Sequence, residues 1–389
     1  MMRERGKIIW NFCTILFFFV FIGTLFAQET KEQLPLMPLK AKAKNIILFI
    51  GDGMGLAHIA ATRIKTYGVE KSLYMEQMPI TGYLYTSPAN TLVTDSAAAG
   101  TALATGHKTN VGRLALSPEG KRLPTILEAC KSMGMSTGMV VTYPITDATP
   151  AAFASHVRSR KMEEEIAVQI LRNRVNVLLG GGKHWFIPQS MQNSKRKDNR
   201  DLIAESKNMG YSFVETKEEL LNAKTEYLLG LFEMGSLAEN PNPSLAEMTQ
   251  KALELLSRNP KGFFLMVEGS QIDWGGHINN INFATRQTIH FDEAVKIGLD
   301  FALKDQETLV IVTADHETGG LGITDGSLDG EKMETGWLSK RHTAIPVIIF
   351  AFGPGAERFT GVGHLTDVPR KISDIVDIKN FPLEIPTKK

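Results

Sequence analysis

Short apolar runs recur along this chain and read as buried strands: Asn45–Ile50, Met139–Thr142, Val175–Leu179, Phe263–Val267, Leu309–Thr313 and Pro346–Phe350. Between them lie stretches of helical character. One follows Gly53 and runs to Tyr67-Gly68, and others cover Pro124–Met133, Met162–Asn173, Leu245–Arg258 and Ala284–Lys304. Strands alternating with helices predict an α/β fold with a mainly parallel sheet covered on both faces. Ligands of such sheets bind beyond the carboxyl ends of the strands. Asp52, Glu268 and Asp315 each stand at or just past such an end, which places three carboxylates on one rim. Residues 186–243 are polar and irregular, and residues 319–341, rich in Gly, Asp and Ser, read as a connection between two strands. Neither makes a second domain, so residues 45–389 are expected to form one domain with short insertions.

The N-terminus has a different pattern. Arg3, Arg5 and Lys7 precede the apolar run Ile8–Phe26, and Leu25-Phe26-Ala27 offers a cleavage site before Gln28. Residues 1–27 therefore read as a secretory signal peptide, and residues 28–44 as a polar lead-in. The alternative is an uncleaved anchor, because the run nearly reaches the ~20 residues that span a bilayer. The expected location is secreted or periplasmic, with no stable membrane span in the mature chain.

Composition adds exclusions. Of 389 residues, 43% are apolar and 22% charged, which is ordinary globular usage. Lys plus Arg is 43 and Asp plus Glu is 42, so no basic excess points to a nucleic-acid partner. Removing residues 1–27 takes away Arg3, Arg5, Lys7 and Glu4 and leaves 40 basic against 41 acidic residues, a net charge of −1. It also removes Cys13. Cys130, left alone in a helical stretch, can form no internal disulfide and reads as a buried small hydrophobe.

Two tempting nucleotide motifs fail. In Gly51-Asp52-Gly53-Met54-Gly55 the third glycine of a dinucleotide loop would fall at Leu56, and a histidine interrupts Gly106-His107-Lys108-Thr109. What remains is a scattered set of metal ligands, each with an ordinary structural alternative. Asp52 between glycines could be a turn residue. In Thr94-Asp95-Ser96-Ala97-Ala98-Ala99-Gly100-Thr101-Ala102, Ser96 would open a helix whose N–H groups favour an alkoxide and a bound anion, but Asp95 or Ser96 could simply cap it. Asp147-Ala148-Thr149-Pro150, followed by Arg158 and Arg160, offers oxygen ligands and a phosphate fork, or a turn with surface arginines. Glu268-Gly269-Ser270-Gln271-Ile272-Asp273-Trp274-Gly275-Gly276-His277 packs two carboxylates and a histidine into a glycine-rich loop, which an ordinary turn does not explain. Asp315-His316 follows a strand, and His342 precedes one. The remaining histidines, His58, His107, His156, His184, His290 and His364, are assigned no metal.

Together these six pieces resemble the alkaline phosphatase family, over about Asn45 to Val376. The Asp-Ser-Ala-Ala-Ala-Gly-Thr-Ala and Thr-Ala-Asp-His segments are the most specific. The resemblance implies a three-layer α/β sandwich around a large central sheet and a site with two Zn2+ and one Mg2+. By it, Ser96 is the nucleophile. Asp273, His277 and His342 hold one zinc, and Asp52, Asp315 and His316 the other. Magnesium shares Asp52 and takes Thr149 and Glu268, with Asp147 holding its waters. Arg160 clamps phosphate, oriented by Asp95. The implied substrates are small-molecule phosphate monoesters, hydrolysed through a phosphoserine, and the implied assembly is a homodimer. Other readings are a phosphodiesterase of the wider superfamily and an inactive metal-bearing protein. Ser96 together with Arg160 favours the monoesterase, and the complete ligand set argues against the inactive protein.

The sequence departs from the family pattern in four places. Thr343-Ala344 stands where many members have Thr-Gly, residues 319–341 are shorter than the crown-like insertion of many members, and the disulfides of some members are missing. Trp274 stands where some members carry a phosphate-holding lysine and others His or Trp. Trp cannot supply a positive charge, so Trp274→Lys is expected to tighten inhibition by inorganic phosphate. Steady-state inhibition measures it, and an unchanged constant would count against a role for this position in phosphate affinity.

Overall fold

The computed structural model describes Leu34 and residues 42–382; the expected signal peptide and nearly all of the lead-in lie outside the described residues. In chain order the strands are β1 Asn45–Gly51, β2 Ile80–Tyr85, β3 Ser136–Pro144, β4 Val177–Gly181, β5 Ser212–Val214, β6 Leu228–Leu231, β7 Phe263–Gly269, β8 Thr308–Thr313, β9 Glu317–Thr318, β10 Leu321–Gly326, β11 Met333–Trp337, β12 His342–Thr343, β13 Val347–Phe352 and β14 Gly361–His364. Ten of them form one sheet in the order β14-β2-β13-β8-β1-β7-β3-β4-β6-β5. Every pairing in it is parallel except those of β13, which runs antiparallel to β8 and β2. β9 pairs with β12, and β10 with β11.

The helices are α1 Leu56–Tyr67, α2 Ser96–Thr105, α3 Ile126–Ser132, α4 Ala148–Ala154, α5 Glu163–Arg172, α6 Leu202–Asn208, α7 Lys217–Asn222, α8 Leu245–Leu256, α9 Ile272–His277, α10 Ile281–Asp305 and α11 Asp367–Ile375. They cover both faces of the sheet. Phe49 of β1 meets Phe291 of α10 edge-on, ring centroids 6.0 Å apart. Gly298 of α10 comes so near that a Cβ there would lie 2.6 Å from Phe49 Cε2, which explains a glycine in mid-helix. On β7, Phe264 pairs with Ile46 and so faces the opposite way from Phe49. It stacks on Phe153 of α4 at 6.1 Å. Helix, sheet and helix make the three layers expected, and each Phe buried between them contributes about 1.5–3 kcal/mol.

Strands predicted from continuous apolar runs are the central ones. β1, β7 and β8 are buried along their whole length, as parallel strands covered on both faces must be. The structure adds strands that this pattern did not reveal. β2 alternates buried and exposed residues because one of its faces meets solvent. Residues 186–243, expected to be irregular, contain α6, β5, α7 and β6, whose strands are too short to show a period. Residues 319–341 do connect two strands, β9 and β12, but they fold into the β10–β11 hairpin on the way. Cys130 is free and buried, and among the described residues no helix is long and apolar enough to cross a membrane.

Candidate metal centre

β8, β1 and β7 lie side by side and run parallel, so the chain leaves all three at one edge of the sheet. Asp315 comes just after β8, Asp52 follows β1, and Glu268 is the penultimate residue of β7. All three are buried. Asp52 Oδ1, Asp315 Oδ2 and both Glu268 carboxylate oxygens are sealed from water without a hydrogen bond. Burial, and then the charges of Asp315, Asp273, Glu268 and Asp147, push Asp52 well above the usual carboxylate range. Burial, with the charges of Asp147 and Asp315, does the same to Glu268. Burial lifts Asp315 to about 7. Buried acids with unsatisfied oxygens fit divalent cations, whose charge reverses these shifts.

Histidines complete two groups. Asp52, Asp315 and His316 offer ligand atoms within 4.8 Å of one another, and so do Asp273, His316 and His342. His316 Nε2 stands 3.4 Å from Asp52 Oδ1 and 3.2 Å from Asp315 Oδ2. His277 joins the second group, its Nε2 3.1 Å from Asp273 Oδ2 and 3.3 Å from His342 Nε2. Burial works to raise Asp273, yet the His277 hydrogen bond and the nearby imidazoles hold it below the usual range. His277 in turn is raised to about 9, first by its hydrogen bond to Asp273. The far nitrogens of two rings meet main-chain carbonyls: His277 Nδ1 lies 2.8 Å from Lys340 O, and His342 Nδ1 lies 3.0 Å from Thr94 O. A ring N–H donated to a carbonyl leaves Nε2 as the free lone pair, facing the cluster. Mixed imidazole and carboxylate donors suit zinc.

The N-terminus of α2 points into the same space. Asp95 is the N-cap, its Oδ1 accepting from Ala98 N at 3.0 Å while its Oδ2 accepts from Gly112 N at 3.0 Å. Ser96 is thereby spared the capping role and opens the helix, its Oγ 3.2 Å from His316 Nε2. α2 packs closely on α4: a Cβ at Gly100 would lie 3.2 Å from Ala152 Cβ and 3.3 Å from Thr149 Cα. Thr149 has a buried hydroxyl close enough to Glu268 to act on its ionisation. Arg160 donates from Nη2 to both Asp147 oxygens, at 3.2 and 3.3 Å, while Asp95 Oδ2 stands 3.8 Å from its Nη1. Asp147 is thus the nearer partner of Arg160, where the resemblance implied Asp95. Burial opposes the Arg160 charge, but Asp147 and Asp95 hold its pKa above the ordinary value. A cavity of about 210 Å³ is lined by Ser96, Asp52, Arg160, Asp273, His277 and His342, among others.

Twelve residues singled out in the sequence thus converge here: Asp52, Asp95, Ser96, Asp147, Thr149, Arg160, Glu268, Asp273, His277, Asp315, His316 and His342. Arg158 is exposed, and the six histidines left unassigned join neither ligand group among the described residues. Sequence reasoning missed Thr318. Its hydroxyl donates to Asp273 and lies 3.3 Å from His316 Nδ1, so it links the two groups. A two-residue offset from His316 along extended chain, which puts both on one side, was the signal available.

Comparison with known proteins places this geometry among relatives. The family model described as alkaline phosphatase matches residues 43–333. Alkaline phosphatase 3 of Bacillus subtilis is 43% identical, covering 89% of this chain and 90% of that protein. The alkaline phosphatase of Escherichia coli is 36% identical over 84% of each. The solved alkaline phosphatase of the Antarctic bacterium TAB5 superposes with a TM-score of 0.79 at 32% identity, covering 87% of this chain and 99% of that one. A variant of the TAB5 enzyme, with a TM-score of 0.80, 32% identity and the same coverage, was solved with Mg bound in its M3 site.

A carboxyl whose pKa is higher folded than unfolded stabilises the fold at low pH and loses that contribution as pH rises through its folded value. With cations stripped by a chelator, the thermal midpoint should therefore fall as pH rises from the ordinary value of 3.8 to about 7, the interval over which the unfolded chain has ionised Asp315 and the folded protein has not. Zn2+ and Mg2+ should raise it again, most of all at alkaline pH, through a binding free energy of about 3 kcal/mol at a hundredfold excess over the dissociation constant. Calorimetric scans from acid to alkaline pH check this. A midpoint indifferent to both chelator and cations would sink the assignment.

Proposed function

This chain belongs to the alkaline phosphatase family and is a metal-dependent phosphomonoesterase, and from that premise we propose which residues carry the reaction. Asp273, His277 and His342 would hold one zinc, and Asp52, Asp315 and His316 a second. Asp52, Thr149 and Glu268 would hold a magnesium, with Asp147 reaching its waters. The single observation that carries this reading is Ser96 Oγ 3.2 Å from His316 Nε2, in a cavity that Arg160 also lines. When bound, the cations offset the charge of a dianionic phosphate and favour the alkoxides of the attacking and leaving oxygens.

The protein groups then have separable tasks. Ser96 Oγ forms a bond to phosphorus as the ester P–O bond breaks on the opposite side, which leaves a phosphoserine and releases the alcohol. The α2 N-terminus offers its free N–H groups to the phosphate. Arg160 forks two phosphate oxygens, held in place by Asp147. Water then attacks the phosphoserine and returns Ser96 Oγ, with orthophosphate as product. The reaction asks for positioning and for charge already in place, more than for a general acid.

We further infer export by cleavage after Ala27 and assembly as a homodimer. Tyr83 and Tyr85 of β2 and Val362 of β14 support the latter, because they share one exposed face at the sheet edge. N-terminal sequencing and light scattering of the exported protein test the two inferences. For the mechanism, Ser96→Ala should lower kcat on an aryl phosphate by at least ~10³-fold while bound zinc and magnesium stay at wild-type stoichiometry. Full activity after that substitution refutes the nucleophile. Faster turnover of the matching diester by the wild type overturns the monoester preference.

A further inference from the structure

Ser96, 3% exposed, is among the most buried residues lining the 210 Å³ cavity and so marks its inner end, and the exposed lining residues mark its mouth. There stands Trp274, 46% exposed although it is one of the largest apolar side chains of the molecule. It belongs to α9 and is flanked by Asp273 and, one turn on, by His277. Its ring centroid lies 6.0 Å from that of Tyr143, with the planes tilted by 42°. Tyr143 comes from the end of β3, so two separate elements bring one aromatic pair to one rim of the cavity. Nothing in the phosphoryl chemistry described above uses either ring.

An in-line displacement sends the leaving oxygen away from the nucleophile. With the nucleophile at the inner end, the alcohol departs toward the mouth and passes Trp274. An open indole face beside a second ring is a stacking surface, tolerant of sequence and charge because any planar π-system can cover it. We propose that Tyr143 and Trp274 form an aromatic platform that receives a planar aromatic group on the leaving alcohol. The enzyme would then favour aryl or nucleoside monoesters over small alkyl ones. The inference rests on the phosphomonoesterase reading and concerns which esters that site prefers.

The test uses the metal-loaded full chain and three substrates: 1-naphthyl phosphate, adenosine 5′-monophosphate and glycerol 2-phosphate. Trp274→Leu and Tyr143→Leu should each lower the aromatic-to-glycerol ratio of kcat/KM by about tenfold, and Trp274→Phe should largely restore it. A fall confined to the naphthyl ester supports a ring bonded directly to the ester oxygen, and a fall confined to the nucleotide supports a base reaching back across its ribose. As a readout independent of turnover, 1-naphthyl phosphonate should quench tryptophan emission in the wild type and lose that effect in Trp274→Phe. Ratios unchanged in both leucine variants overturn the platform. A wild type that hydrolyses none of the three esters would instead overturn the phosphomonoesterase reading.

Discussion

Mutual repulsion of buried carboxylates is the constraint around which this protein is built. Three neighbouring parallel strands end on one edge, and each delivers an acid there: Asp315, Asp52 and Glu268. Asp273 and Asp147 close the set. Removing like charges from water and placing them side by side costs several kcal/mol per ion unless something offsets it. The protein supplies imidazoles beside Asp273 and one arginine, Arg160, which is committed to Asp147 and Asp95, and neither offsets the charges of Asp52, Asp315 and Glu268. Cations are the remaining compensation, and their charge is also what a phosphate dianion needs. The same electrostatic deficit therefore accounts for metal affinity and for substrate affinity.

The helices serve that rim. α2 is built almost entirely of Ala, Gly and Thr, and this smallness lets it lie close against α4. Close packing brings Ser96 and Thr149, each in the first turn of its helix, to the same centre from one side of the sheet. On the other side the glycines of α9 serve the same end. A Cβ at Gly275 would meet Ala284 of α10 at 2.6 Å, and one at Gly276 would meet Thr318 at 2.7–2.8 Å. A larger residue at Gly275 or Gly276 would have to displace Ala284 or Thr318.

Much of this was legible in the sequence, for a physical reason. A strand buried on both faces must be a continuous apolar run, so β1, β7 and β8 were visible, and the acids just past them could be located on one rim. Strands toward the margins of the sheet answer to weaker demands. β2 needs only one apolar face, and β5 and β14 are too short to show a period, so pattern alone passed over them. Within the site, residue type pointed to candidate ligands but not to their sharing. His316 stands in both ligand groups, which is a fact of distance and not of spacing along the chain. The Arg160–Asp147 pairing was likewise invisible, because two acids lay within reach of one guanidinium and only geometry ranks them.

The carbonyls behind His277 and His342 have a different kind of consequence. Both belong to the main chain, at Lys340 and Thr94, and every amino acid carries a carbonyl. Substitution at either position leaves the acceptor where it was, provided the loop keeps its path. The tautomers of two imidazoles at the candidate metal centre are thus insulated from drift in the residues that set them. Evolution can vary these loops for solubility or for substrate while the imidazoles keep their orientation, a form of mutational robustness that a carboxylate in the same place could not offer.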